Sequence, residues 1–182
     1  MGQPTGDAAL GLERGKVRLV PYQSVWPELF EAEAARLRFL AGPALERIEH
    51  VGSTAISRMD SKPIVDLMAC VLDMPAATAL IPLFESNGYE YRPDDSWPER
   101  VFLARGPRIA RTHHLSLTVQ DSTFWADHLL FRDYLRENPP EVFAYCALKR
   151  DLARRFPDDR RAYTDAKKVF VRRVLLAARG AI

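Results

Sequence analysis

The chain is poor in the residues that staple small secreted domains or hold structural metals: of its 182 residues only two are cysteine and four are histidine. Cys70 and Cys146 form no CxxC spacing, which argues against a disulfide framework or a zinc-ribbon site and leaves both as small core residues. No run of 18 apolar residues occurs, so no membrane-spanning helix and no membrane partner are expected. The opening stretch MGQPTGDAALGLERGK lacks the charged-then-apolar layout of a signal peptide, and the expected location is the cytoplasm. Internal repeats and low-complexity blocks are missing too, which excludes a solenoid.

What is present suits one folded unit. With 47% hydrophobic and 27% charged residues the chain can bury one sizeable core. Residues 1–15 carry no periodic apolar pattern and read as a mobile tail, leaving 16–182 as a single domain. The net charge of +2 hides an asymmetry, because residues 132–179 hold 13 Lys/Arg against 7 Asp/Glu. A basic C-terminal third suits a phosphorylated ligand. The excess is modest and no row of exposed aromatics accompanies it, which argues against nucleic acid as the partner.

The periodicity gives an α+β reading. VRLVPY is expected as a short strand, after which Ser24 would cap a helix reaching about Ala41, with Pro27 in its first turn and Phe30, Ala34 and Leu37 on one side. RIEHV is a second strand, and PIVDLMACV is too continuously apolar for a half-exposed strand, so it belongs in the middle of a sheet. Pro75 opens a helix to about Ser86, closed by Asn87-Gly88. YEYR, RVFLAR and HHLSLTV are strands close enough in sequence to pair antiparallel. From Ser122 onward the pattern is helical, giving three helices. The expected architecture is a mixed β-sheet with flanking helices, a sheet portion over 16–121 and a helical portion over 122–182.

One residue breaks the apolar logic. Alternation along PIVDLMACV puts Asp66, Met68 and Cys70 on one face, so Asp66 is the lone charge on its face of a central strand. A buried carboxylate is costly unless paired, hydrogen-bonded or metal-bound, which makes Asp66 a site candidate. Upstream, Gly52 permits close backbone approach and the amides around Ser53 and Thr54 can face an anion. Lys62 adds a positive charge to the same mouth. Partners for Asp66 within the fold would be Lys62, Arg100 or an arginine of the C-terminal helices.

A strand, a Gly-Ser turn, a twelve-residue segment and a strand bearing an acidic residue resemble the opening of the DNA polymerase β-like nucleotidyltransferase superfamily. The wider set IEHVGSTAISRMDSKPIVDLMACV, HHLSLTV, WADHLLFRDYLRENPP and YTDAKKVFV resembles the GrpB-like family, which shares that fold. The resemblance implies a nucleotidyltransferase-type sheet and binding of a nucleotide or phosphorylated small molecule. It implies Asp66 as ligand to Mg²⁺ or another divalent metal, and Asp66 with His114 as catalytic candidates. Arg132 and Lys149 match the family pattern and, with Arg100, Lys62 and Gly52 to Thr54, complete the expected ligand-binding set. Two positions depart from the pattern. Met68 stands where a second carboxylate is usual, and a thioether is a poor partner for Mg²⁺. Ser116 stands where a second histidine of the third strand is usual. Relatives fused to dephospho-CoA kinase imply a link to coenzyme A metabolism, and they keep open a different reading, a non-catalytic regulatory or interaction module with a protein partner.

Overall fold

The computed structural model describes residues 10–180. Five strands form one mixed sheet in the order β1-β2-β5-β4-β3. These are β1 (Arg47–Val51), β2 (Val65–Cys70), β3 (Tyr89–Tyr91), β4 (Val101–Arg105) and β5 (His113–Thr118). β2 runs parallel to β5, and the other neighbours pair antiparallel. The continuously apolar segment is thus a central strand, covered on both faces.

One face carries the main core. Helix α1 (Trp26–Ala41) lays Phe30, Ala34 and Leu37 onto Ile48, Val65, Leu67, Leu115 and Leu117, and the short helices α2 (Met74–Ala79) and α3 (Ile81–Glu85) add Ala77 and Phe84. Glu33 of α1, 4% exposed, ties this layer to the sheet by accepting hydrogen bonds from Arg36, Tyr89 and Arg105. The opposite face is roofed by α4 (Thr123–Glu137), whose Trp125 packs on Val51, Met68 and Cys70. Ser122 caps α4 by accepting from the Trp125 amide at 3.0 Å. Beyond α4 come α5 (Pro139–Arg155), α6 (Arg160–Ala166) and α7 (Lys168–Gly180). α4, α5 and α7 share a second apolar centre of Leu135, Val142, Tyr145 and Val174, into which the β1–β2 connection inserts Ile56 and Met59.

Several sequence expectations need correction. Residues 1–9 of the expected tail lie outside the described residues. Residues 10–15 are not a tail: Leu12 is 6% exposed and exchanges backbone hydrogen bonds with Arg111 at 3.0 and 2.8 Å. VRLVPY is not a strand. Only Val20 pairs, bridging to Ser61, because the segment meets one residue of a loop and not a sheet edge. Ser24 does not cap α1, which begins after Val25 without a side-chain cap. The helix expected from Pro75 breaks at Leu80, just ahead of Pro82, whose ring suits a first turn and not a helix interior. The last expected helix starts at Arg160, capped by Asp159, and divides at Lys167.

Candidate functional site

The parallel pairing of β2 with β5 sets Asp66 beside His114 on the roofed face. Asp66 Oδ1 accepts from His114 Nδ1 at 2.8 Å. On its other ring nitrogen, His114 Nε2 faces the Arg160 guanidinium at 3.4 Å, so its lone pair accepts and the neutral Nδ1–H tautomer is held. Burial favours that neutral ring and lowers the His114 pKa, although the Asp66 hydrogen bond works the other way. For Asp66, burial opposes the charge, but the His114 hydrogen bond and the nearby Lys62 and Arg160 cations outweigh it and hold the carboxyl well below its ordinary range. Enclosed as it is by protein, the Asp66 side chain remains 37% accessible, against 6% for His114, because it borders a cavity.

That cavity, about 510 Å³, lies between the sheet and the helical roof. Gly52, Ser53, Thr54, Lys62, Asp66 and His114 line it from the sheet side, and Lys149, Tyr163, Lys167 and several aromatics line it from the helices. Three of the lysines carry little compensation. Lys149 is 1% exposed, with its ammonium nitrogen 3.0 Å from Ser53 Oγ, donating to the Asp60 carbonyl, and 4.8 Å from the centre of the Tyr145 ring. Lys62 and Lys167 face the same Tyr163 ring at 5.8 and 4.6 Å. Burial depresses all three: Lys149 falls to about 7, Lys167 to about 8, and Lys62, further repelled by Arg160 and Lys167, falls well below its usual value. Glu99 and Asp127 border the cavity as well, so three carboxylates and three lysines share it.

Of the expected site residues, Gly52, Ser53, Thr54, Lys62, Asp66, His114 and Lys149 therefore come together. Arg100 and Arg132 do not line the cavity. Arg100 donates to Ser116 Oγ at 2.9 Å and is boxed by Trp97, Phe102 and Phe124, with its charge 4.1 Å from the Phe102 ring centre. Arg132 spends its donors on Glu49, Asp133 and the His50 carbonyl, bolting α4 to β1. Glu49 is consumed by Arg132 and Arg47 and does not reach Asp66. His50 points to the other face of the sheet and stacks on Phe30 with centroids 4.7 Å apart. The expected site set lacked Lys167, which lines the cavity, and Arg160, which stands against His114. Their signal was the spacing Arg160, Tyr163, Lys167, which repeats at three and four residues and so marks one helical face.

A divalent metal of the kind the resemblance implies does not fit this donor set. Met68 is fully buried under Trp125, and Asp66 already has His114 on one oxygen. Among the described residues no three His, Cys, Asp or Glu side chains converge as a metal group would need. Glu99 and Asp127 border the cavity but do not group with Asp66 and His114 as a metal site would need.

Fold and site together define an α+β protein in which a mixed sheet and a helical roof enclose a cavity lined by three lysines and by Asp66, Glu99 and Asp127. The chain belongs to the GrpB family: the family model described as GrpB protein matches residues 16–176. It is 38% identical over 88% of its length to a UPF0157 protein of Pseudomonas aeruginosa, and 34% identical over 86% to the UPF0157 protein YqkA of Bacillus subtilis. It spans only 66% and 46% of those two relatives. The crystal structure of the conserved protein GrpB from Enterococcus faecalis superimposes with a TM-score of 0.81 at 36% identity, covering 88% of this chain and 96% of that one. A dephospho-CoA kinase of Mycobacterium bovis matches at 27% identity over 86% of this chain but only 44% of its own length, consistent with fusion of the domain to a kinase.

Proposed function

We propose that this GrpB-family protein binds a phosphorylated small molecule, nucleotides included, in the cavity beneath the helical roof. The observation that carries the reading is the convergence of Lys62, Lys149 and Lys167 on the cavity that Asp66 borders, with Arg160 placed beside His114. A phosphate can accept hydrogen bonds from several ammonium and guanidinium groups at once. Phe124, Phe131 and Tyr145 along the same cavity give the rest of such a ligand an apolar bed. The reading stops at binding. Nucleotidyl transfer would need carboxylates for two metal ions, and the donor set does not fit them.

The test is a thermal-unfolding and calorimetric screen with inorganic phosphate, pyrophosphate, nucleoside mono- and diphosphates, dephospho-CoA and coenzyme A. A ligand at a hundred times its Kd should stabilise by about 2.7 kcal/mol. Lys62→Met and Lys167→Met should each weaken binding at least tenfold. Absence of any phosphate-dependent stabilisation in the wild type sinks the reading.

A further inference from the structure

Resting on the phosphate-binding reading, we propose that Ser53 and Lys149 form a nucleophile and base pair that cleaves a phosphate monoester through a phosphoserine intermediate. The pair is a geometric fact: Ser53 Oγ and Lys149 Nζ lie 3.0 Å apart, and both residues border the cavity. Lys149 is 1% exposed and has only uncharged oxygens within reach, the Ser53 hydroxyl and the Asp60 carbonyl. The Asp60 carboxylate is turned away to Arg150, at 2.5 Å. A buried amine without a carboxylate, facing other cations, is pressed toward its neutral form. The neutral amine satisfies the same contacts: one N–H donates to the Asp60 carbonyl, and the lone pair accepts from the Ser53 hydroxyl. That is the arrangement by which an adjacent base activates a serine.

The surroundings supply the rest of the step. Gly52, at φ +70°, turns the chain so that Ser53 opens a short 3₁₀ turn at the cavity wall. Lys62 and Lys167 border the same cavity, and on a phosphate held between them and Ser53 they would stabilise the charge that develops on its oxygens, the role metal ions play elsewhere. Ser53 Oγ attacks phosphorus while its proton passes to Lys149 Nζ. The bond from phosphorus to the leaving oxygen breaks, and that oxygen departs with the electron pair and takes the proton back from Lys149. Water then attacks the phosphoserine, the bond from phosphorus to Oγ breaks, Ser53 regains a proton, and inorganic phosphate leaves. Phe124, Phe131 and Tyr145 favour an aromatic or apolar alcohol as the leaving group.

The probe is p-nitrophenyl phosphate with the full chain. Nitrophenolate release is followed, acid-quenched samples are mapped for phosphoserine, and binding of inorganic phosphate is measured calorimetrically on the same preparation. The proposal expects phosphoserine at Ser53 in the wild type and its loss in Ser53→Ala. It also expects Lys149→Met to lower turnover at least about 100-fold, the usual worth of a general base. Should Lys149→Met fail to fold by circular dichroism, Lys149→Arg keeps a cation but no base, and the same loss is expected there. Phosphate binding with neither turnover nor phosphoserine overturns this step and leaves the binding reading standing. Turnover without phosphoserine overturns the covalent route. No phosphate binding overturns the reading on which the step rests.

Discussion

The carboxylate of Asp66 lies against the backbone of Gly52: a Cβ at position 52 would fall 2.5 Å from Asp66 Oδ2. Gly52 also sits at φ +70°, which residues with a Cβ adopt only at a cost. The Gly-Ser turn and the strand carboxylate are therefore one unit, in which the missing side chain makes room for the acid.

Gly52→Ala should destabilise the fold by about 2 kcal/mol or more, from backbone strain plus displacement of Asp66. In urea unfolding, the double variant Gly52→Ala/Asp66→Ala should lose less than the sum of the two single variants, because the clash is removed with the carboxylate. Additive losses would show that the two residues do not interfere.

Arg132 is a bolt and not a ligand contact. Arg132→Met strips β1 and α4 of their shared ion pair and leaves the His50 carbonyl without its donor, so stability should fall by about 3 kcal/mol. Phosphate binding by calorimetry should stay within twofold of wild type. A tenfold loss of binding in a folded variant would return Arg132 to the site.

Stability should fall on mild acidification. Burial lowers His50 from 6.5 to about 4 and lowers His114 as well, so the unfolded chain takes up protons first. Since the unfolded state then binds more protons, the histidine contribution is constant above about pH 6.5 and declines as the pH drops towards 4, by up to about 1 kcal/mol per pH unit for each histidine, while the depressed buried lysines make stability decline already between alkaline pH and about 7. Asp66 acts later. Its carboxyl is depressed in the fold, so its contribution is present above the unfolded value near 4 and is lost only as the pH falls further towards the folded value. Chemical denaturation at half-unit pH steps, with His50→Gln as comparison, should show a shallower decline in the variant.

Mg²⁺ should not strengthen binding of a nucleoside diphosphate. Lysines and Arg160 already provide the positive charge, and the metal would draw phosphate oxygens away from them. Calorimetric titrations with 5 mM chelator or, in order-of-magnitude terms, ~5 mM Mg²⁺ should give affinities equal within threefold or weaker with metal. A tenfold gain with Mg²⁺ would show that Asp66 holds a cation after all.

Much of the architecture was legible because it rests on local pattern. The five strands of the sheet fall where β-periodic runs predicted them, and β3, β4 and β5 pair antiparallel as their closeness in sequence suggests. Asp66, Met68 and Cys70 share a face because a strand alternates side chains whatever surrounds it. The misreadings occurred where partners lie far away in sequence. Leu12 is held by Arg111, and Val20 pairs with one loop residue, Ser61.

The site divides in the same manner. By itself the sequence determined that a glycine, a serine and a lone carboxylate would flank one strand, and that a second carboxylate was absent, because residue type and spacing along a strand need no tertiary context. Only the tertiary structure decided which charges meet at the site. Lys62, Lys149, Arg160 and Lys167 are spread over about a hundred residues of chain, and a charge acquires its chemical character from desolvation and neighbours that exist only after folding. The same fact separates Lys149 from Arg132. Both look alike as basic residues on C-terminal helices, but packing leaves one beside Ser53 without a carboxylate and gives the other two of them.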